Sequence, residues 1–139
     1  MESRSILYGI NIYGEYFPKY VHEIVEKLFE SLSIPNEDLQ YNYDGIDLVS
    51  GYLINLSIEK KIDDKFIEEN FLGLIAYMGE CYIQTKGGKW EMILNKAGNI
   101  WEPYIKKNNG ELNANFIGFI YDCLTEDEIA DYESCLLGI

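Results

Sequence analysis

One carboxylate stands out in this chain because it lies inside the longest apolar stretch. Glu80 falls within residues 72–90, which read LGLIAYMGECYIQTKGGKW. A carboxylate set among apolar residues is suited to general acid or base chemistry. We favour a structural role, in which Glu80 is hydrogen-bonded to the Trp90 indole or paired with Lys86 or Lys89. No histidine, cysteine pair or second acid stands near it in the sequence to complete a catalytic set.

The only histidine limits the chemistry further. His22 opens the sequence HEIVE, which resembles the start of a zinc metalloprotease helix. The position where that motif needs its second histidine is occupied by Glu26. With a single histidine, neither a histidine-based zinc site nor a histidine-containing catalytic triad can form. We expect His22 to be a solvent-exposed partner of Glu26, four residues further along a helix.

Three other short motifs lack the arrangement that their chemistry needs. The sequence KGGK at residues 86–89 follows a helix, whereas phosphate-binding loops precede one, so we interpret it as a turn. The acids at residues 44–47 and 126–128 lack the 12-residue ligand pattern of an EF-hand and leave only weak cation binding open. We therefore predict no metal site and no cofactor, and enzymatic function has little support.

Composition and charge bear on the class of partner. The 139 residues include 24 acidic and 11 basic side chains, for a formal net charge of −13. Such a surface repels phosphate backbones, so the sequence argues against nucleic-acid binding and favours a basic partner. The hydrophobic fraction of 47% and the 12 tyrosines predict a single globular domain over residues 1–139, long enough for a full core.

Cysteine usage and the N-terminal sequence predict a cytoplasmic protein. Cys81, Cys123 and Cys135 are odd in number and show no CxxC spacing, so we interpret them as reduced thiols. The N-terminus lacks the long apolar core of a signal peptide, and no apolar run approaches the length that spans a membrane. We expect no membrane association.

Apolar spacing predicts a buried helix at the centre of the fold. Apolar residues recur in steps of three and four over about residues 70–86, and further apolar residues widen the stripe until it nearly encircles the helix. Gly73, Ala76 and Gly79 form a strip of small residues, which predicts close packing of another element against the helix backbone. Gly87 should end the helix, since glycine is preferred just past a helix C-terminus.

Patterns before this helix predict a strand and two further helices. Residues 5–13 alternate as in a short strand. From Pro18 an apolar stripe predicts a helix, since proline is favourable at the first helical position. Its inner face comprises Phe17, Val21, Ile24, Val25, Leu28, Phe29 and Leu32. A second helix, capped by Asp44 or Asp47, runs to about Lys60. Its inner face comprises Val49, Tyr52, Leu53 and Leu56.

Patterns after the central helix predict one hairpin and two short helices. Residues 90–105 contain two strand-like segments joined by a glycine-bearing turn, which predicts an antiparallel hairpin. Pro103 cannot donate to a strand ladder, so the second strand should be an edge there. Residues 116–123 have helical spacing, and Thr125 with Glu128 has the spacing of a capping box for a last helix. The predicted fold is α+β, with four to five helices around the central helix and a small antiparallel sheet.

The sequence around the central helix resembles a known group of proteins. LGLIAYMGE at residues 72–80 and GGKW at residues 87–90 are similar to small bacterial domains whose helix reads LGxYLGE, followed by GGxW. Some of those domains are encoded beside polymorphic toxins and are regarded as immunity proteins. The resemblance covers residues 46–124, with Leu74-Ile75 inserted in the LGxY part and Cys81 added after the glutamate. It implies architectural roles for Gly79, Glu80, Gly88 and Trp90.

These observations lead to three functional hypotheses. The first is a non-enzymatic, cytoplasmic binding protein, most concretely an immunity protein that blocks a basic toxin domain. The second is a small hydrolase or ligand-binding enzyme centred on Glu80, which requires a pocket open to solvent there and another polar group converging on it. The third is an adaptor that homodimerises through a tyrosine-bearing face. The candidate partner-contact residues, whose alternative is an ordinary solvated surface, are Tyr41, Tyr43, Asp44, Glu126, Asp127, Glu128 and Asp131.

Overall fold

A computed structural model describes residue 7, residues 10–113 and residues 116–125 of the chain. These residues form four α-helices and a three-stranded antiparallel sheet, which confirms the predicted α+β class. The elements in chain order are a 3-10 turn (Gly14–Tyr16), α1 (Phe17–Ser31), a second 3-10 turn (Asn36–Asp38), α2 (Tyr43–Ile58), α3 (Asp64–Lys86), β1 (Lys89–Asn95), β2 (Ile100–Lys106), β3 (Leu112–Asn113) and α4 (Phe116–Thr125).

Helix α3 is the buried centre of the fold, as predicted, although it begins at Asp64 rather than near residue 70. The Asp63 side chain accepts a hydrogen bond from the Phe66 amide at 2.9 Å, and this cap satisfies a free donor of the first turn. Residues 70–79 are all buried, so the helix is enclosed on every side. It ends at Gly87, which adopts a φ of +85° that glycine accommodates without strain.

Helix α1 packs along α3 with its whole predicted inner face buried. The strip of small residues on α3 provides the close approach. A Cβ built on Gly73 would lie 2.9 Å from the Cβ of Leu28, which is closer than side-chain carbons pack. At the other end, Gly79 faces the Trp90 ring, and the Phe17 ring packs edge to face with that ring at a centroid distance of 5.1 Å. The two helices therefore run antiparallel, with Trp90 closing the end of their interface.

Helix α2 has the predicted extent but a different cap. The Asn42 side chain, rather than Asp44 or Asp47, accepts the capping hydrogen bond from the Gly45 amide at 2.9 Å. Asparagine, with its backbone extended at this position, caps as well as aspartate does, and Asp44 lies inside the first turn instead. On the predicted inner face, Val49 and Leu53 are buried, whereas Tyr52 and Leu56 are half-buried.

The described part of the predicted strand over residues 5–13 forms turns, so that prediction is wrong there. The amides of Ile10 and Asn11 both donate to the Leu7 carbonyl, at 2.9 and 3.2 Å. The Asn11 side chain accepts from the Tyr13 amide at 3.1 Å and donates to the Trp101 carbonyl at 2.7 Å. These side-chain hydrogen bonds offer the backbone an alternative to strand pairing.

The predicted hairpin is confirmed and gains a third strand. Strands β1 and β2 pair from Lys89–Lys106 to Asn95–Ile100. Strand β3, which the sequence did not predict, covers β2 only at Ile105 and Lys106. Pro103 therefore pairs with β1 on one side and lies beyond the reach of β3 on the other, as its missing amide requires.

The cysteines depart from the prediction of three reduced thiols. Cys81 is free and buried, but Cys123 in α4 is disulfide-bonded. Cys135, like the predicted last helix that follows Thr125, lies outside the described residues. Within the described part of the chain, no helix combines the length and apolar character that a membrane crossing needs.

Candidate functional site

Glu80 lies on the last turns of α3, and its position follows from the glycine before it. Because Gly79 has no side chain, the Trp90 ring rests directly on the helix backbone, with its indole beside Glu80. The indole nitrogen donates to Glu80 Oε2 at 3.1 Å, and the amide of Gln84 donates to Oε1 at 3.1 Å. The predicted bond to the Trp90 indole is therefore confirmed.

The alternative partners of Glu80 are not used. Among the described residues, the ion pairs within 4.0 Å are His22–Glu26, Lys61–Glu59 and Lys65–Glu69. Neither Lys86 nor Lys89 pairs with Glu80, so its two hydrogen-bond donors are both neutral. The carboxylate is half-buried and forms no ion pair with a cationic side chain of the described residues.

His22 makes the predicted contact with Glu26 and a second contact that the sequence did not reveal. Its Nε2 lies 3.2 Å from Glu26 Oε1, and its side chain is 68% exposed. Its Nδ1 lies 2.9 Å from the hydroxyl of Tyr41. When the ring proton is on Nε2 and faces Glu26, Nδ1 accepts the Tyr41 proton, which gives a hydrogen-bonded chain of carboxylate, imidazole and phenol.

His22, Tyr41 and Glu80 meet at one open cleft of about 200 Å³, which we call the Glu80 cleft. Its walls come from α1, from the loop before α2 and from the end of α3. The lining residues are Pro18, Lys19, Val21, His22, Tyr41, Glu80 and Gln84. Glu80 therefore meets the condition set by the enzyme hypothesis, because it lies at a solvent-open cleft on which other polar groups converge.

Tyr41 is a neutral phenol in this cleft. Burial, followed by the charge of Glu80, raises its pKa from 10.0 to about 12. Its ring packs against Tyr77 at a centroid distance of 5.8 Å. Burial also raises the pKa of Cys81 to about 12, so the thiol beside Glu80 is not the reactive thiolate that nucleophilic catalysis needs.

The remaining described contact candidates lie on an acidic surface next to this cleft. Tyr43 and Asp44 are exposed, and Tyr43 leaves 49% of its surface to solvent. Asp38, Gln40, Asp44, Gly45 and Leu48 line a shallow groove of about 330 Å³. We define the acidic loop surface as Glu37, Asp38, Tyr43, Asp44 and Asp47, all of which are exposed.

The surrounding sequence strengthens the charge of this surface. No lysine or arginine occurs between Lys27 and Lys60. The same segment contains six acids, which are all exposed: Glu30, Glu37, Asp38, Asp44, Asp47 and Glu59. Only Glu59 among them has an ion-pair partner, Lys61, in the described residues. The acidic loop surface therefore presents uncompensated negative charge to solvent.

The loop that carries Tyr43 is fixed to the core from below. The buried Tyr77 of α3 donates its hydroxyl proton to the Gln40 carbonyl at 2.7 Å. A Cβ on Gly45 would overlap both the Gln40 carbonyl oxygen and the Tyr77 hydroxyl, so only glycine permits this contact. The exposed residues of the loop therefore stand on a rigid base.

The other four predicted contact residues are not among the residues that the structure describes. Glu126, Asp127, Glu128 and Asp131 lie outside the described residues. Within the described ranges, no three histidine, cysteine, aspartate or glutamate side chains are grouped closely enough to hold a metal ion. The candidate sites are therefore the Glu80 cleft and the acidic loop surface.

The chain was compared with protein families, curated proteins and solved structures. No protein-family model, no curated protein and no solved structure matches the chain.

Proposed function

We propose that this chain is a non-enzymatic acidic binding protein that neutralises a basic toxin domain, in the manner of a bacterial immunity protein. The observation that carries the proposal is the acidic loop surface, where exposed acids surround Tyr43 and no basic residue occurs between Lys27 and Lys60. The resemblance of residues 72–90 to domains encoded beside toxins supports the same function.

The physical properties of this surface suit rapid and specific binding. Uncompensated negative charge attracts a basic partner over a long range and orients it before contact. Tyr43 offers a large exposed side chain of the kind that dominates binding energy at interfaces. Because the Tyr77 hydroxyl holds the base of the loop, less conformational entropy is lost when a partner binds.

Charge reversal provides the test. The triple variant Asp38→Lys, Asp44→Lys, Asp47→Lys changes the acidic loop surface. The control variant Asp64→Lys, Glu68→Lys, Glu111→Lys changes the net charge equally at exposed acids elsewhere. Asp64 matches Asp44, since each lies in the first turn of its helix. Both variants and the wild type are immobilised on a resin and incubated with extracts of the native organism. The proteins that each resin retains are identified by mass spectrometry.

We expect a basic protein to be retained by the wild type and the control, and to be lost with the triple variant. Co-expression of that protein in a growth assay then measures protection from toxicity. Equal protection by the wild type and the triple variant would contradict the proposal, because the acidic loop surface would then play no part. If both variants lose the basic protein equally, binding depends on net charge alone, and that result would also contradict the proposal.

We assign the protein to the cytoplasm as part of this proposal, and the disulfide at Cys123 gives a direct test of that assignment. Disulfides persist in oxidising compartments and are rare in the cytoplasm. Cells are lysed in a thiol-alkylating reagent under denaturing conditions, and labelled cysteines are counted by mass spectrometry. Label on Cys123 would support the cytoplasmic assignment, whereas label on Cys81 with none on Cys123 would show that the disulfide is present in the cell and would contradict the assignment.

A second candidate function, a small hydrolase or ligand-binding enzyme, is favoured by the Glu80 cleft. Glu80 would act there as a general base, and the Glu26–His22–Tyr41 chain would hold a polar substrate group. This function is tested by measuring whether the wild type and Glu80→Gln hydrolyse a panel of small carboxylic esters, phosphate esters and glycosides. Turnover that Glu80→Gln abolishes would support it, and turnover that the substitution leaves unchanged would refute it.

The adaptor hypothesis points to a different surface. Ile12, Tyr16 and Tyr20 are large side chains exposed at and before the start of α1. If the chain homodimerises through this face, the mass measured by light scattering rises from that of a monomer to that of a dimer as protein concentration increases. The Tyr16→Glu variant should keep the mass of a monomer. A constant monomer mass at all concentrations would eliminate the adaptor hypothesis.

A further inference from the structure

The charge of Glu80 is the starting point of the inference. Both hydrogen bonds to its carboxylate come from neutral donors, the Trp90 indole and the Gln84 amide. No lysine, arginine or histidine nitrogen of the described residues lies within 4.0 Å of it. A half-buried carboxylate without a counter-charge attracts a cation more strongly than an exposed one, because less water screens the interaction.

The size and walls of the Glu80 cleft narrow the choice of cation. Its volume of about 200 Å³ is smaller than the roughly 300–1,000 Å³ of typical small-molecule pockets. It suits one long side chain. Pro18 and Val21 supply apolar wall, and Tyr41 supplies aromatic surface beside the carboxylate. Apolar and aromatic walls around an acid match a flat cation that tolerates partial desolvation.

We propose that the Glu80 cleft binds the guanidinium group of an arginine side chain from the protein partner. The inference deepens the proposed function and rests on it, since it assigns one anchoring contact of the complex. Arginine fits better than lysine because its planar group donates several hydrogen bonds at once, stacks on aromatic rings and is less strongly hydrated than an ammonium group. Arginine is also enriched among the residues that dominate interface energies.

The other charged groups at the cleft set its affinity. Lys19 lines the cleft, and its ammonium lies 5.3 Å from the centroid of the Tyr16 ring, in a cation–π contact. Its positive charge weakens the attraction of the cleft for a cation. Glu26, which pairs with His22, contributes negative charge that reaches Tyr41. We therefore expect Lys19→Gln to strengthen cation binding and Glu80→Gln to weaken it.

A nuclear magnetic resonance titration with a small probe tests the cleft without the partner. The probe is N-acetyl-arginine amide, and the neutral N-acetyl-citrulline amide is its matched control. The chain has two tryptophans, so two indole N–H signals report on the protein. Trp90 donates to Glu80 and is the reporter, whereas Trp101 does not line the cleft and is the internal control.

We expect the arginine probe to shift the Trp90 signal saturably, with a dissociation constant on the order of 1–10 mM, as for one charge-assisted contact. The citrulline probe should leave both signals in place. Glu80→Gln, which keeps the side-chain shape, should remove the response, and Lys19→Gln should tighten it about two- to five-fold. Unchanged thermal unfolding of Glu80→Gln will show that it is folded. A Trp90 signal that does not respond, or that responds equally to both probes, overturns the inference.

The captured partner provides the second arm of the test. We expect Glu80→Gln to weaken partner binding by at least about 10-fold. If the probe binds but the partner binds Glu80→Gln as tightly as the wild type, the inference is wrong. The proposed function is then still supported if the charge reversals abolish partner binding. If neither Glu80→Gln nor the charge reversals affect partner binding or protection, the proposed function and the inference fail together.

Discussion

The six-membered ring of Trp90 lies against the backbone of α3 at Gly79. A Cβ on Gly79 would lie 2.6 Å from Trp90 Cζ2 and closer still to Cη2, so any other residue at position 79 would displace the ring. The indole nitrogen of the same ring donates a hydrogen bond to Glu80. The ring also packs edge to face with Phe17, at a centroid distance of 5.1 Å. One glycine therefore allows the hairpin, the central helix and α1 to meet at a single aromatic ring.

This relationship predicts the effect of adding one methyl group. We expect Gly79→Ala to lower the free energy of unfolding by about 1–3 kcal/mol, because the core must shift to accept the extra carbon. Gly51→Ala is the matched control in α2, since nothing lies within 4 Å of its added Cβ. That substitution should raise the free energy of unfolding by up to about 1 kcal/mol. Urea unfolding curves measure both, and equal effects at the two positions would contradict the packing described.

Ser50 predicts a stabilising substitution. Its side-chain oxygen is buried and has no hydrogen-bond partner among the described residues, so its loss of hydration is not offset. Ser50→Ala removes that cost and improves helix propensity, so we expect the free energy of unfolding to rise by about 1 kcal/mol. Thermal and urea unfolding measure the change. A loss of stability would show that the hydroxyl makes a stabilising interaction, and would contradict the prediction.

Tyr41 predicts how stability depends on pH in alkaline solution. Its pKa is 10.0 in the unfolded chain and about 12 in the folded one, so the unfolded state loses its proton first. The stability contributed by the neutral phenol is fully present below pH 10 and is lost as the pH rises toward 12. We expect Tyr41→Phe to show a shallower fall in its urea midpoint over that interval.

The remaining fall in Tyr41→Phe should come from groups with pKa values raised in the same direction, above all the buried Cys81 and Tyr77. An absorbance titration of the phenolate band provides the control, since one late-titrating tyrosine should disappear in the variant. Identical alkaline profiles of the wild type and Tyr41→Phe would show that the phenol does not titrate late.

The acidic loop surface predicts a strong effect of salt on association with a basic partner. Electrostatic attraction reaches about 30 Å at 0.01 M ionic strength but only about 8 Å at 0.15 M. We expect the association rate constant, measured by stopped-flow fluorescence, to fall by at least about 10-fold between those conditions. The dissociation rate constant should change much less. An association rate that does not depend on salt would show that the partner is not steered by charge.

Local sequence patterns were sufficient wherever one element determined the outcome. The stripe of α1 required burial of one helix face and the encircling stripe of α3 required burial of most of a helix, and both are buried as predicted. The contact between Glu80 and Trp90 was also predictable, because Gly87 and Gly88 fold the chain back directly after α3 and bring β1 beside it.

Other features depended on competition between nearby residues. Asn42, Asp44 and Asp47 are all able to cap α2, and only the backbone conformation at Asn42 decides among them. Around Asn11, hydrogen bonds from one side chain favour turns over the strand that the alternating pattern indicated. Strand β3 has two residues, which is too short to leave a pattern of alternation.

The Glu80 cleft was not predictable because its parts come from three distant segments. His22 and Tyr41 are 19 residues apart, and they meet only because α1 packs antiparallel to α3. No histidine or second acid stands near Glu80 in the sequence, although the fold brings His22 and Tyr41 to the same cleft. The regular placement of His22 on the exposed side of α1 gave no sign that its second nitrogen had a partner.

The hydrogen bond from Tyr77 to Gln40 has a consequence for how this protein can change over evolutionary time. Its acceptor is a backbone carbonyl, so the Gln40 side chain is not needed for it. The anchor is a buried tyrosine, and the fit depends on Gly45, whereas Tyr43 and Asp44 between them make no contribution to it. The exposed residues can therefore be exchanged one at a time at little cost in stability. With the proposed function, such an arrangement allows the partner-binding residues to change while the fold is retained.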